Sequence, residues 1–191
     1  MRMLYKKNAF RMFVLVFVLW CIEIVNSFMG HRLNVLGIYP GAETPFPGIF
    51  FAPFLHGSFE HLGLNTLPLF TLGWLMSLRG FMRYVWISLF IAVVGGVAVW
   101  FFGRNAFHVG ASGLIFGYFG YLVAQGIFEQ SFSSVFIAST IIAVYGGMIF
   151  GIFPLSDSVS WETHLFSLLA GVVACRFWSK PPPTRPKQHA V

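Results

Sequence analysis

Six apolar runs, near residues 10–29, 59–78, 84–102, 110–128, 132–152 and 162–178, occupy most of this 191-residue chain. An α-helix needs about 20 residues to cross the hydrocarbon core of a bilayer. The runs are apolar all round, not alternating, and in lipid only a helix bonds every backbone N–H and C=O within its own segment. Composition points the same way. The chain is 57% hydrophobic and 9% charged, against about 25% charged residues in a soluble domain. Disorder requires low hydrophobicity, and a coiled coil or nucleic-acid-binding module requires charge, so these classes are excluded. The expected fold class is an all-α membrane protein. It is read as a compact bundle of six transmembrane helices in one domain, residues 1–179, with residues 180–191 a disordered, proline-rich cytoplasmic tail.

The placement of Lys and Arg orients the bundle. Ten of the 12 fall on one side: Arg2, Lys6, Lys7 and Arg11, then Arg79 and Arg83, then Arg176, Lys180, Arg185 and Lys187. Arg32 and Arg104 fall on the other. Both termini are therefore expected in the cytoplasm, and an odd number of spans would spoil the asymmetry. The basic start leads straight into the first apolar run with no small-x-small site behind it, so the first helix is expected to remain attached. Residues 30–58 form a long outer connection with Pro40, Gly41, Pro45, Pro47, Gly48 and Pro53. Its Phe46, Phe50, Phe51 and Phe54 place it in the membrane interface. Cys21 and Cys175 lie inside apolar runs and read as packing residues, not a disulfide.

Ionisable and polar residues inside spans are expensive, so each raises a functional hypothesis. Glu23, late in the first span, is expected near the outer interface, bonded to a neighbouring helix or loop. His61 and Asn65 are four apart and share a helix face, where they can donate to a ligand or tie two helices together. His56 precedes that helix and can order the incoming chain; Glu60 points elsewhere. Ser112 lies in Gly110-Ala-Ser-Gly113 at the start of the fourth span. A helix N-terminus there would favour an oxyanion, although a lone G-x-S-G is weak evidence. Gly110, Gly113, Gly117 and Gly120, followed by Ala124, form one nearly bare helix stripe that allows close packing. His164 opens the sixth span with Ser167 and Gly171 on the same small-residue face, so it points at a neighbouring helix. It reads either as a satisfied structural histidine or as the partner of Ser112. Asp157 is the chain's only Asp and Glu162 is on the wrong side of the helix. A Ser–His dyad is therefore the economical arrangement, with a neutral imidazole as base.

At these residues the sequence resembles the rhomboid family of intramembrane serine proteases, over roughly residues 46–174. Pro53-Phe-Leu-His56-Gly with His61 and Asn65 matches the family's second-helix pattern. Gly110-Ala-Ser-Gly113 matches its nucleophile motif, and His164 with Gly171 its sixth-helix motif. The resemblance implies that Ser112 is the nucleophile and His164 its base. It implies an oxyanion hole from His61, Asn65 and the Ser112 N–H, with help from the Ala111 peptide. His56 would be structural, the 30–58 connection a membrane-embedded first loop, and the fifth span a lateral gate. Two positions depart from the family: Phe116 stands where a Tyr often stacks on the histidine, and Ser167 where a Gly often follows it.

The implied activity is serine endopeptidase cleavage of transmembrane substrates with helix-destabilising segments. The implied setting is the lipid bilayer of a bacterial plasma membrane, with no cofactor, no metal and no nucleic-acid partner. The alternative is a catalytically silent rhomboid-like protein that binds membrane helices in the same groove. A metal or haem protein built on His56, His61, His108 and His164 would be a third reading, but their spacing offers no tight ligand set. His31 and His108 receive no role.

Overall fold

The computed structural model describes residues 2–43, 46–156 and 159–179, and among them the chain is helical almost throughout. Helix α1 spans Arg2–Phe28, α2 Phe46–Phe51, α3 Phe59–Ser77, α4 Phe81–Phe102, α5 Ser112–Glu129, α6 Phe132–Tyr145 and α7 Trp161–Trp178. Tight 3-10 turns cover Arg32–Leu36 and Ala52–Phe54, and a longer one, Gly146–Ile152, continues α6. Six of the helices match the six apolar runs, and α2 lies in the connection read as a loop. By length and composition, three helical stretches, Met3–Phe28, Phe81–Phe102 and Phe132–Ile152, are apolar enough to cross a membrane. They carry exposed Phe13, Phe17, Trp86, Phe136 and Val144, an outside suited to lipid, not water.

Helix α1 begins at Arg2, not near residue 10. Hydropathy marks where a helix enters lipid, whereas Lys, Arg and Met extend a helix beyond that point at little cost. Helix α3 starts where Ser58 caps it, the hydroxyl accepting from the His61 N–H at 3.1 Å. Ser131 and Ser134 form a reciprocal capping box at the start of α6.

Helix α5 is the axis of the bundle. Fourteen of its 18 residues are buried, and α3, α4, α6 and α7 all pack on it. The closest approach is to α7: a Cβ on Gly171 would stand 1.9 Å from the Gly117 carbonyl oxygen, so no other residue fits. The expected single stripe is corrected in two places. Gly110 lies outside the helix, and the bare side of Gly117 faces Ile91 of α4, while Gly113 and Gly120 face α7.

One end of the bundle is closed by polar contacts. Arg79 Nη1 donates to both Glu129 oxygens, at 2.6 and 2.5 Å, and Gln125 Nε2 donates to the same carboxylate at 3.1 Å. Arg83 Nη2 donates to the Tyr121 hydroxyl at 2.7 Å and to the Trp178 carbonyl. Asn8 of α1 donates to the Ser77 carbonyl at 2.9 Å. The starts of α1 and α4 and the ends of α3, α5 and α7 therefore meet on one side. Asp157 and the tail from Lys180 onward lie outside the described residues.

Candidate active site

The opposite end holds the polar residues singled out in the sequence. Ser112 is the first residue of α5. The chain reaches it through Gly110, whose φ of +127° favours glycine. The Gly110 N–H donates to the Ala52 carbonyl at 2.9 Å, which pins this turn to the first loop. A side chain at Gly110 would also collide with the His61 ring, 2.7 Å from its Cε1.

His164, one turn into α7, places its Nε2 2.9 Å from the Ser112 Oγ. Its Nδ1 lies 2.9 Å from the Gly151 carbonyl oxygen. A carbonyl only accepts, so Nδ1 carries the proton and Nε2 is left with the lone pair. The Ser112 hydroxyl then donates to Nε2. The Phe116 ring stacks on the imidazole with centroids 4.1 Å apart and planes 6° from parallel, the contact expected there without a tyrosine hydroxyl. Gly151 is confined as well: a Cβ there would lie 2.9 Å from Phe116 Cζ and 3.1 Å from His164 Nδ1. Ser167, where a glycine was the family norm, fits because it lies against Gly95 of α4 and Gly113.

Ser112 and His164 are only 6% and 8% exposed, yet both face a cavity of about 700 Å³. His61 and Asn65 line the same cavity from α3. The Asn65 Nδ2 is buried with no hydrogen-bond partner among the described residues. The Ser112 N–H opens α5 and has no carbonyl one turn earlier within the helix. Glu60 was read as pointing elsewhere; it lines the cavity beside His61.

His56 is a structural hub. Its carbonyl accepts from Asn26 Nδ2 at 3.3 Å and from Asn34 Nδ2 at 3.1 Å, tying α1 and the first loop together. Its Nε2 accepts from the Ala111 N–H at 3.3 Å. This corrects the reading of Ala111: its peptide N–H is committed to His56 and does not point a free donor at the cavity. Burial, with His61 nearby, pushes the His56 pKa down to about 3, so the ring stays neutral and keeps that lone pair.

Glu23 makes the loop contact expected of it, whereas the remaining contacts carried no clear sequence signal. Glu23 is buried and meets His31 Nε2 at 3.0 Å, giving His31 a partner. Arg104 Nη2 donates to the Val159 carbonyl at 2.6 Å, and its Nε is 3.7 Å from Glu162. His108 is buried against Ser160. Gly151 was missed because it acts through its backbone. Among the described residues no three His, Cys, Asp or Glu side chains are grouped to hold a metal ion, and Cys21 and Cys175 are free thiols.

Known proteins resemble this chain over most of its length. The family model of the rhomboid domain matches residues 45–181. An uncharacterized protein of Mycobacterium tuberculosis (strain H37Rv) is 38% identical over 179 residues, covering 88% of this chain and 75% of that protein. An uncharacterized protein of Mycobacterium leprae is 35% identical over 173 residues, covering 86% of this chain and 68% of that protein.

Proposed function

The chain belongs to the rhomboid family and is an integral membrane protein, and from that premise we propose that it is an intramembrane serine endopeptidase working with a Ser112–His164 dyad. The observation that carries the reading is the directed relay from the Ser112 hydroxyl to His164 Nε2, with Nδ1 held on the Gly151 carbonyl. In this reading a backbone carbonyl takes the orienting place that a carboxylate holds in a triad.

Ser112 Oγ attacks the scissile carbonyl carbon while its proton passes to His164 Nε2. The imidazolium so formed is stabilised by the Gly151 carbonyl on Nδ1 and by the Phe116 face. The carbonyl oxygen becomes an oxyanion and meets the unpartnered Asn65 amide, His61 and the Ser112 N–H. Collapse of this intermediate breaks the C–N bond, and His164 returns the proton to the departing amine. Water then attacks the acyl-serine, giving its proton to His164, and the carboxylic product leaves as Ser112 regains its hydrogen. The cavity supplies the water that a bilayer core lacks.

The six long helices are read as six spans, with both termini in the cytoplasm of a bacterial cell and the site near the outer face of the plasma membrane. The substrate is a transmembrane segment with helix-breaking residues, because a helix hides its carbonyls and Gly or Pro releases them. Helix α6 is the lateral gate; only 11% of its apolar stretch is buried inside the bundle. A fluorophosphonate probe tests the nucleophile directly. Peptide mapping of the labelled protein is expected to find one adduct, on Ser112; labelling that persists in Ser112→Ala would overturn the assignment.

A further inference from the structure

His108 and Ser160 make a second Ser–His contact one helical turn ahead of the first. His108 stands four residues before Ser112, and Ser160 stands four residues before His164. His108 Nδ1 is hydrogen-bonded to Ser160 Oγ, as Ser112 Oγ is to His164 Nε2. The two bonds therefore join the same two segments at neighbouring levels, with serine and histidine exchanged.

Bond directions follow from the groups involved. His108 Nε2 faces the Arg104 carbonyl at 3.1 Å, so Nε2 carries the proton and Nδ1 the lone pair. The Ser160 hydroxyl donates to Nδ1, and its oxygen accepts from Thr163 Oγ1–H at 2.6 Å. Burial pushes the His108 pKa below the usual histidine value, which keeps this neutral arrangement at neutral pH.

The histidine is rigidly held. Its N–H donates to the Ile38 carbonyl at 2.8 Å, and its carbonyl accepts from the Ile38 N–H at 3.1 Å. The side chain thus hangs from a fixed point of the first loop and reaches across to the residue that leads into α7. Both His108 and Ser160 line the cavity, so a chain entering the cavity presses where these two segments are joined.

We infer that His108 is a positioning residue: through Ser160 it fixes the start of α7 against the start of α5, and so keeps His164 Nε2 on Ser112 Oγ while substrate is bound. The inference rests on the serine-protease reading given above. A misplacement of about 1 Å can cost up to about 100-fold in rate, whereas substrate contacts elsewhere in the cavity are untouched. The effect belongs in kcat, not KM.

The test uses the full-length protein in detergent and a single-span substrate with a Gly-Pro step. His108→Leu and Ser160→Ala are each expected to lower kcat by about 10- to 100-fold with KM within about twofold. The double variant should be no worse than the worse single one, because both remove the same bond. His108→Asn, whose Oδ1 can accept from Ser160 in place of Nδ1, should recover most of the lost kcat. Thermal melting of each variant runs alongside. Unchanged kcat, additive losses, a rise in KM alone, no rescue by Asn, or a loss that merely follows melting would each overturn the inference. Wild-type turnover that survives Ser112→Ala, or no wild-type turnover and no Ser112 adduct, would instead overturn the protease reading beneath it.

Discussion

At one end of the bundle Arg79 donates to both oxygens of the buried Glu129 carboxylate, Gln125 adds a further bond, and Arg83 joins Tyr121 to the last turn of α7. At the other end Asn65 Nδ2, His56 Nδ1, Glu23 Oε2 and Glu162 Oε2 are buried with no partner among the described residues. Every such atom among the described residues lies at this second end. A buried polar group left unmet costs about 1–3 kcal/mol, and of these four residues Asn65 lines the cavity of about 700 Å³, where the proposed reaction would use its amide. The first end uses its polar side chains to hold helices together; the second leaves the Asn65 amide unengaged at the cavity.

That contrast predicts effects of opposite kind. Asn65→Leu at the open end should lower kcat by about 10²- to 10³-fold yet leave the melting temperature unchanged or higher, since an unmet buried amide is removed. A fall in stability with full turnover would break the contrast. Arg79→Ala at the closed end should do the reverse. It takes the guanidinium from a buried carboxylate, for which about 3 kcal/mol of stability is expected to go, and kcat per folded molecule should hold. Unfolding in graded denaturant beside turnover of the folded fraction measures both.

Smaller effects sharpen the account of the open end. Gly151→Ala puts a methyl against Phe116 and His164 Nδ1. A drop in kcat of about tenfold or more is expected from the displaced imidazole, with KM little changed in steady-state assays. Acid is expected to act on stability through His56. Burial holds His56 neutral down to about pH 3, against about 6.5 for an ordinary histidine. Between those values the unfolded chain takes up a proton that the folded one refuses. The contribution is therefore complete above about pH 6.5 and is lost as pH falls towards 3, by up to about 1.4 kcal/mol per pH unit. His56→Gln, whose Oε1 can accept from the Ala111 N–H in place of Nε2, should flatten that limb of a stability–pH curve. An unchanged limb would assign the acid sensitivity to another group.

Much of the open end was legible in the sequence because it is written in side chains at helical spacing. His61 with Asn65, Ser112 behind Gly110, and His164 with Gly171 each declare a helix face, and polar residues are conspicuous in apolar runs. The Gly151 carbonyl was not legible: a backbone acceptor has no residue signature, and the 3-10 turn that presents it is hidden inside one continuous apolar run, 132–152. Ala111 was misassigned for a related reason, since whether a peptide N–H is free depends on where the His56 lone pair points. His108 did leave a trace, the shared four-residue spacing of His108–Ser112 and Ser160–His164. That trace gains meaning only when α5 and α7 are seen side by side. The early start of α1 escaped because hydropathy reports lipid and not helix.

We propose that the open end performs peptide hydrolysis through Ser112. It is tested most directly by incubating the detergent-purified full-length protein, wild type beside Ser112→Ala, with a single-span substrate and resolving the fragments. Cleavage by wild type alone, at least about 10³ times faster than by the variant, is the predicted result. Equal cleavage by both proteins would contradict it.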